Sequence, residues 1–323
     1  MKRKLAIAIC CVLVLISCSG LRKSQVTASE NFALATKGIS RVPADIYFRI
    51  YILKAESQTL QLNTLLATND NATESITLLK NDYEEKMKFI SLTENYATAY
   101  NIVEQYAGLV LCLLKDEYHK EFMKSKATWQ NSFEKLVKTY NKASVIKIPS
   151  SVSKFTALVV EELGKRKLAH LQKKYLREAI HTARIPFENI CDDFITLDSL
   201  KIQSEINNLP AFIDNNYANF LENIRAYEKQ GNNPYYYYNA YTPIYTGWLN
   251  QYGEIKVLSK QAVDAFRKLK STFGILEAYV NSTGKASEVP EINELMDQYS
   301  GLIESYQKFE KRRVKMNTAT LLN

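Results

Sequence analysis

Apolar residues along this chain recur at intervals of three and four over long stretches. Phe89, Leu92, Tyr96, Ala99, Val103, Tyr106, Val110 and Leu113 form one such seam. A longer one runs Tyr238, Tyr241, Tyr245, Trp248, Tyr252, Ile255, Ser259, Ala262, Phe266, Leu269, Phe273, Leu276 and Val280, and Ser259 is its only clearly polar member apart from the tyrosine hydroxyls. Ile292, Leu295, Tyr299, Leu302, Tyr306 and Phe309 form a third. A heptad spacing keeps one stripe of a helix turned toward its neighbours over many turns. The pattern therefore predicts an all-α protein: an elongated, mainly antiparallel bundle of about six long helices with coiled-coil-like packing. No alternating apolar and polar run bounded by turns competes with it.

Breakers set the expected ends. A first helix follows Pro43 and stops before Asn69-Asp70-Asn71; a second runs from about Thr73 to Leu114. A third covers Asp116 to Tyr140, but no Gly or Pro separates it from the second, so the two also read as one continuous rod. Ile148-Pro149-Ser150-Ser151 is a boundary, with serines placed to cap a fourth helix that passes Phe155, Leu158, Leu168, Leu171 and Tyr175 and meets Pro186. A fifth seam, Phe187, Ile190, Phe194 and Leu197, then slips phase to Ile202, Ile206, Leu209 and Ile213; Pro210 nearby predicts a kink. Gly231-Asn232-Asn233-Pro234 ends that segment, Gly284 ends the long helix of the second seam, and Pro290 starts the last helix. Only 10 Gly and 7 Pro in 323 residues leave few turns, so residues 42–323 read as a single helical-bundle domain.

The first residues break the pattern. Met1-Lys2-Arg3-Lys4 precedes an apolar run from Leu5 to Ile16, too short for the ~20 residues that span a bilayer, and Leu15-Ile16-Ser17-Cys18 closes it. This layout resembles the signal peptide and lipobox of bacterial lipoproteins. The resemblance covers the leader alone and assigns the body to no family. It implies that residues 1–17 are removed, that Cys18 is acylated and becomes the first residue, and that residues 18–41 are a lipid tether and irregular lead-in. It also implies a bacterial envelope location. Ser19 follows Cys18 where Asp would signal inner-membrane retention, and Gly20-Leu21-Arg22-Lys23 lacks an acidic export cluster, which favours the outer membrane with the body facing the periplasm.

Charge adds little. With 42 Lys and Arg against 34 Asp and Glu the chain carries +8, and loss of Lys2, Arg3 and Lys4 brings this to +5. The excess is spread over short clusters such as Lys165-Arg166-Lys167 and Lys311-Arg312-Arg313, which are solvated helix faces rather than a nucleic-acid stripe. Cys112 and Cys191 sit in apolar context and read as buried core residues, although an exported compartment would permit a bond between them.

Candidate chemistry is sparse. Asp116 with His119 and Glu178 with His181 have the carboxylate-x-x-His spacing of half a di-metal site in helical bundles, but His181 lies far from the apolar line of its helix, and no metal or other cofactor is expected. Ser151-Val152-Ser153-Lys154 has the spacing of a lysine-assisted serine nucleophile without its companion Lys-Thr-Gly, and Ser282-Thr283-Gly284-Lys285 has the wrong order. These readings predict a protein without catalytic residues.

The remaining oddity is aromatic. Tyr235, Tyr236, Tyr237 and Tyr238 follow one another and cannot share a helix face. With Thr242-Pro243 as a possible cap, Tyr235, Tyr236 and Tyr237 become candidate partner-binding residues at an ordered corner. The expected function is that of a binding or scaffolding rod, held to the membrane by its lipid and directed at an envelope protein or glycan, with no nucleic-acid partner. The alternative is a membrane-acting helical protein of the pore-former kind, or an immunity factor against one; an enzyme ranks last.

Overall fold

The computed structural model describes residues 21–68, 72–143, 147–163, 168–229, 235–282 and 289–321. Among them are nine α-helices, one π turn and no strand, so the protein is an all-α helical bundle with more helices than the seams suggest. The helices are α1 (Lys23–Ile39), α2 (Val42–Thr68), α3 (Ala72–Leu114), α4 (Asp116–Ala143), α5 (Ser150–Leu163), α6 (Leu168–Leu197), α7 (Gln203–Glu228), α8 (Tyr235–Asn281) and α9 (Pro290–Leu321). The π turn, Asp198–Ile202, joins α6 to α7.

The seams form the core. Val103, Tyr106, Val110 and Leu113 of α3 are buried, as are Trp248, Ile255, Ala262, Phe266, Leu269, Phe273, Leu276 and Val280 of α8 and Ile292, Leu295 and Leu302 of α9. Ser259 is fully buried, and its hydroxyl accepts a hydrogen bond from Gln203 Nε2 at 3.0 Å, which satisfies a polar atom that would otherwise be costly at that depth.

Where one domain from 42 to 323 is expected, the chain divides into two compact units. Unit 1 comprises Met1–Ser40, Asn101–Cys191 and Lys268–Asp297, and unit 2 comprises Arg41–Tyr100, Asp192–Arg267 and Gln298–Asn323. In unit 1, Phe32, Phe187 and Phe273 meet edge to face, and the Tyr106 hydroxyl donates to the carbonyl of Ala179 at 2.8 Å. In unit 2, Tyr100, Phe194 and Phe266 form a second aromatic cluster, and Trp248 Nε1 donates to Glu56 Oε2 at 2.9 Å.

Two expectations need correction, and one open alternative is decided. Lys23–Ile39, read as irregular lead-in, is a helix. Its inward positions include Gln25, Ala28, Ser29, Ala33, Ala35 and Thr36, so it buries small and polar residues and shows little apolar periodicity. Gln25 holds it in place: Nε2 donates to the carbonyl of Tyr279 at 2.9 Å, and Arg177 Nε donates to that of Val280 at 3.0 Å. Both carbonyls belong to the last turn of α8, where no intrahelical donor remains.

The second and third helices are not one rod. Lys115 alone interrupts them, and α4 folds back so that Gln105 Nε2 donates to Ser132 Oγ at 3.0 Å and Phe133 packs 6.4 Å from Tyr106. The bend keeps its backbone bonds, since Lys115 N–H reaches the Leu111 carbonyl and His119 N–H reaches that of Lys115. No glycine is needed, and burial of Phe122, Phe133 and Val137 drives the return.

Pro186 does not end a helix. It lies inside α6, and Arg184 Nε to Glu188 Oε1, at 2.9 Å, spans the turn that contains it. Pro210 also lies inside a helix, α7. The slip is the π turn: the one five-residue step of the seam, Leu197 to Ile202, coincides with the one place where the backbone pairs i with i+5.

Ala97–Leu114 is long and apolar enough to cross a membrane by composition, with a mean hydropathy of 1.2. About two thirds of that window (67%) is buried within the fold, as expected of a core helix.

Candidate functional site

In unit 1, the return of α4 against α3 leaves a cleft of about 250 Å³. One wall comes from Gln105, Gly108 and Cys112, which share a face of α3 at spacings of three and four. The other comes from Tyr118, Phe122, Ser125 and Trp129 of α4, again one face, and Lys37 of α1 closes one side. Trp129 is fixed by stacking on Phe133 at 5.2 Å, with rings 9° from parallel, and by an edge contact with Phe122.

The cleft leaves free space at Gly108, where a Cβ would meet nothing within 4 Å. Gln105 spends its amide nitrogen on Ser132, while its Oε1 is buried without a hydrogen-bond partner. A buried acceptor left unmade is costly, so this oxygen favours any ligand that brings an N–H or O–H to it. Glu104 and Glu121 also line the cleft. The Cys112 sulfur lies 3.5 Å from the Tyr118 carbonyl, to which its S–H donates. Burial pushes this thiol up to about 12, outweighing the opposing pull of Lys37. The sulfur therefore enters the cleft as a neutral, weakly polar surface rather than as a nucleophile.

The sequence-predicted residues lie elsewhere. Cys18 is outside the described residues. Tyr235, Tyr236 and Tyr237 form the first turn of α8, so this helix starts at Tyr235 and runs through Thr242 and Pro243 instead of being capped by them; the side chains of Tyr235 to Tyr238 are outside the described residues. Of the tyrosines that follow, Tyr245 stacks on Tyr217 at 4.4 Å and donates to Asp214 Oδ1 at 2.7 Å, and Tyr241 packs 4.9 Å from Phe220. Both are half-buried, so they seat this end of α8 within unit 2 without being deep core.

The two carboxylate-x-x-His pairs do not converge, and among the described residues no three His, Cys, Asp or Glu side chains are placed to hold a metal. His181 is exposed with Nδ1 2.6 Å from Glu277 Oε1, and Arg184 donates to Glu277 Oε2 at 2.8 Å. These contacts hold the Glu277 carboxyl below its usual range, the His181 hydrogen bond contributing most. His119 is half-buried, with its Nδ1 enclosed and unpaired. Cys112 and Cys191 are both buried and no disulfide joins them. Sequence reasoning missed the cleft, although its signal was present: a glycine inside an apolar helix at Gly108, and a tryptophan, Trp129, on the apolar stripe of the amphipathic helix that follows.

Compared with protein families, characterised proteins and solved structures, the chain matches none significantly.

Proposed function

We propose that this protein is a non-enzymatic lipoprotein of the bacterial cell envelope, tethered through Cys18 to the outer membrane with its body in the periplasm, and that its helical body serves to bind. The cleft of unit 1 carries the binding part of this reading. It is open, aromatic on one side, and offers an unspent acceptor at Gln105 Oε1, a composition suited to recognising a small amphipathic molecule or a protruding side chain or sugar of an envelope partner. The leader supports the tether, because Leu15-Ile16-Ser17-Cys18 follows a basic start and a short apolar core.

Two measurements test the two parts separately. Metabolic labelling with a fatty-acid probe should mark the wild type and miss Cys18→Ala; equal labelling of both overturns the lipid anchor. Capture of envelope proteins and glycans by the native lipoprotein, set against a Gly108→Leu variant whose cleft is filled, tests recognition. Identical recovery by both overturns the role of the cleft.

A further inference from the structure

α3 turns a second apolar stripe outward from unit 2. Ile76, Leu79, Tyr83, Met87 and Ile90 remain between 37% and 63% exposed. Their separations of three, four, four and three residues place all five within an arc of about 80° at 100° per residue. Other faces of the same turns contact the rest of unit 2, since Asp82 is buried and Glu85 Oε2 accepts a hydrogen bond from Gln58 Nε2 at 3.2 Å. Half of the exposed large apolar side chains among the described residues thus fall on four turns of one helix, whereas scattered single residues are the norm for a solvated surface.

We propose that this stripe is a homodimer interface, in which α3 pairs antiparallel with α3 of a second copy about a twofold axis at Tyr83. The stripe is self-complementary about that residue: Ile76 meets Ile90 of the second copy, Leu79 meets Met87, and Tyr83 meets itself. Charge complements this arrangement. A twofold of this kind brings like edges of the stripe together, and on one edge Lys80 then lies about two residues, or ~3 Å, along the axis from Glu84 of the second copy. The symmetry makes that contact twice. The five side chains on both copies represent on the order of 1,000 Å² of removable surface, at the low end for specific interfaces, so the dimer forms in the micromolar range and depends on concentration. Attachment to a membrane would raise the local concentration and favour it.

Single cysteines placed on the stripe of the full-length chain test both the contact and its direction, with the parent chain as background. Under mild oxidation, Tyr83→Cys should give a crosslinked dimer. Ile76→Cys alone should give little, and Ile76→Cys combined with Ile90→Cys should restore it. Equal crosslinking by Ile76→Cys and Tyr83→Cys overturns the antiparallel arrangement. Sedimentation equilibrium of the parent should show a monomer–dimer exchange that Leu79→Glu weakens at least tenfold, with the helical circular dichroism unchanged. A monomer at every concentration up to about 100 μM, with no crosslink from any variant, overturns the interface. Flotation of a monomeric Cys18→Ser chain with phosphatidylethanolamine and phosphatidylglycerol vesicles, abolished by Leu79→Glu, identifies lipid as the occupant and likewise overturns it.

Discussion

The hydroxyl of Tyr106 donates to the carbonyl of Ala179, 73 positions further along the chain, from a ring that is 1% exposed. Burial pushes the phenol far above its ordinary range, so it stays a neutral donor at any pH the fold survives. Tyr106→Phe removes the bond and keeps the ring packing. It should cost about 1 to 2 kcal/mol in denaturant unfolding, against about 3 to 5 kcal/mol for Tyr106→Ala, which also opens a cavity. Equal losses from the two would show that the hydroxyl rather than the ring carries the contribution.

Filling the cleft should leave the fold intact. Gly108→Ala puts a methyl group into space with no neighbour within 4 Å and replaces the poorest non-proline helix former in a helix interior. A gain of about 1 kcal/mol is expected, read as a higher midpoint in urea. A loss would mean that the walls of the cleft close on position 108 in solution.

The Cys112 thiol should react slowly. With its ionisation raised to about 12, the thiolate is scarce at pH 8, and alkylation of the native protein should lag far behind that of the unfolded chain and accelerate as pH rises. Rapid stoichiometric labelling of Cys112 at pH 8 would contradict this.

Acid should weaken unit 1 through Glu277. Its folded pKa is depressed below the ordinary value of 4.5 by His181 and Arg184, so its stabilising contribution is fully present above 4.5 and disappears as pH falls through the lower folded value. Glu277→Gln should flatten that part of the stability profile below pH 4.5 and lower stability slightly at neutral pH. An unchanged acid slope would indicate that this surface cluster contributes nothing measurable.

Gln203 and Ser259 should prove coupled. A double-mutant cycle with Gln203→Ala and Ser259→Ala should return about 1 kcal/mol of interaction energy, as for a buried neutral hydrogen bond.

The helical content and most of the core were legible because large side chains recur at heptad spacing from Val103 to Leu113 and from Trp248 to Val280. α1 was not, since its buried face carries only two large apolar residues, Phe32 and Ile39, among Ala, Ser, Thr, Gln and Glu, which leaves little periodic contrast. The prolines misled for a related reason. Pro186 is read as an end and Pro243 as a start, yet both, like Pro210, sit inside helices whose packing outweighs the local penalty. The reversal at Lys115 carries no breaker at all, and the cleft that it creates depends on which faces of α3 and α4 meet, a tertiary fact that composition does not encode.

Gln25 ties the beginning of the described chain to the end of α8, 254 positions away. Its side chain also accepts from the N–H of Arg22, so one amide group closes the start of α1 and the finish of α8 together. A pull on the N-terminal end reaches this residue before any other tertiary hydrogen bond of α1. Load would therefore peel α1 from its first turn, one contact after another, and part it from the end of α8 at the outset. Gln25 is thus a mechanical fuse: Gln25→Ala should lower the force at which unit 1 first yields more than it lowers the unit's equilibrium stability.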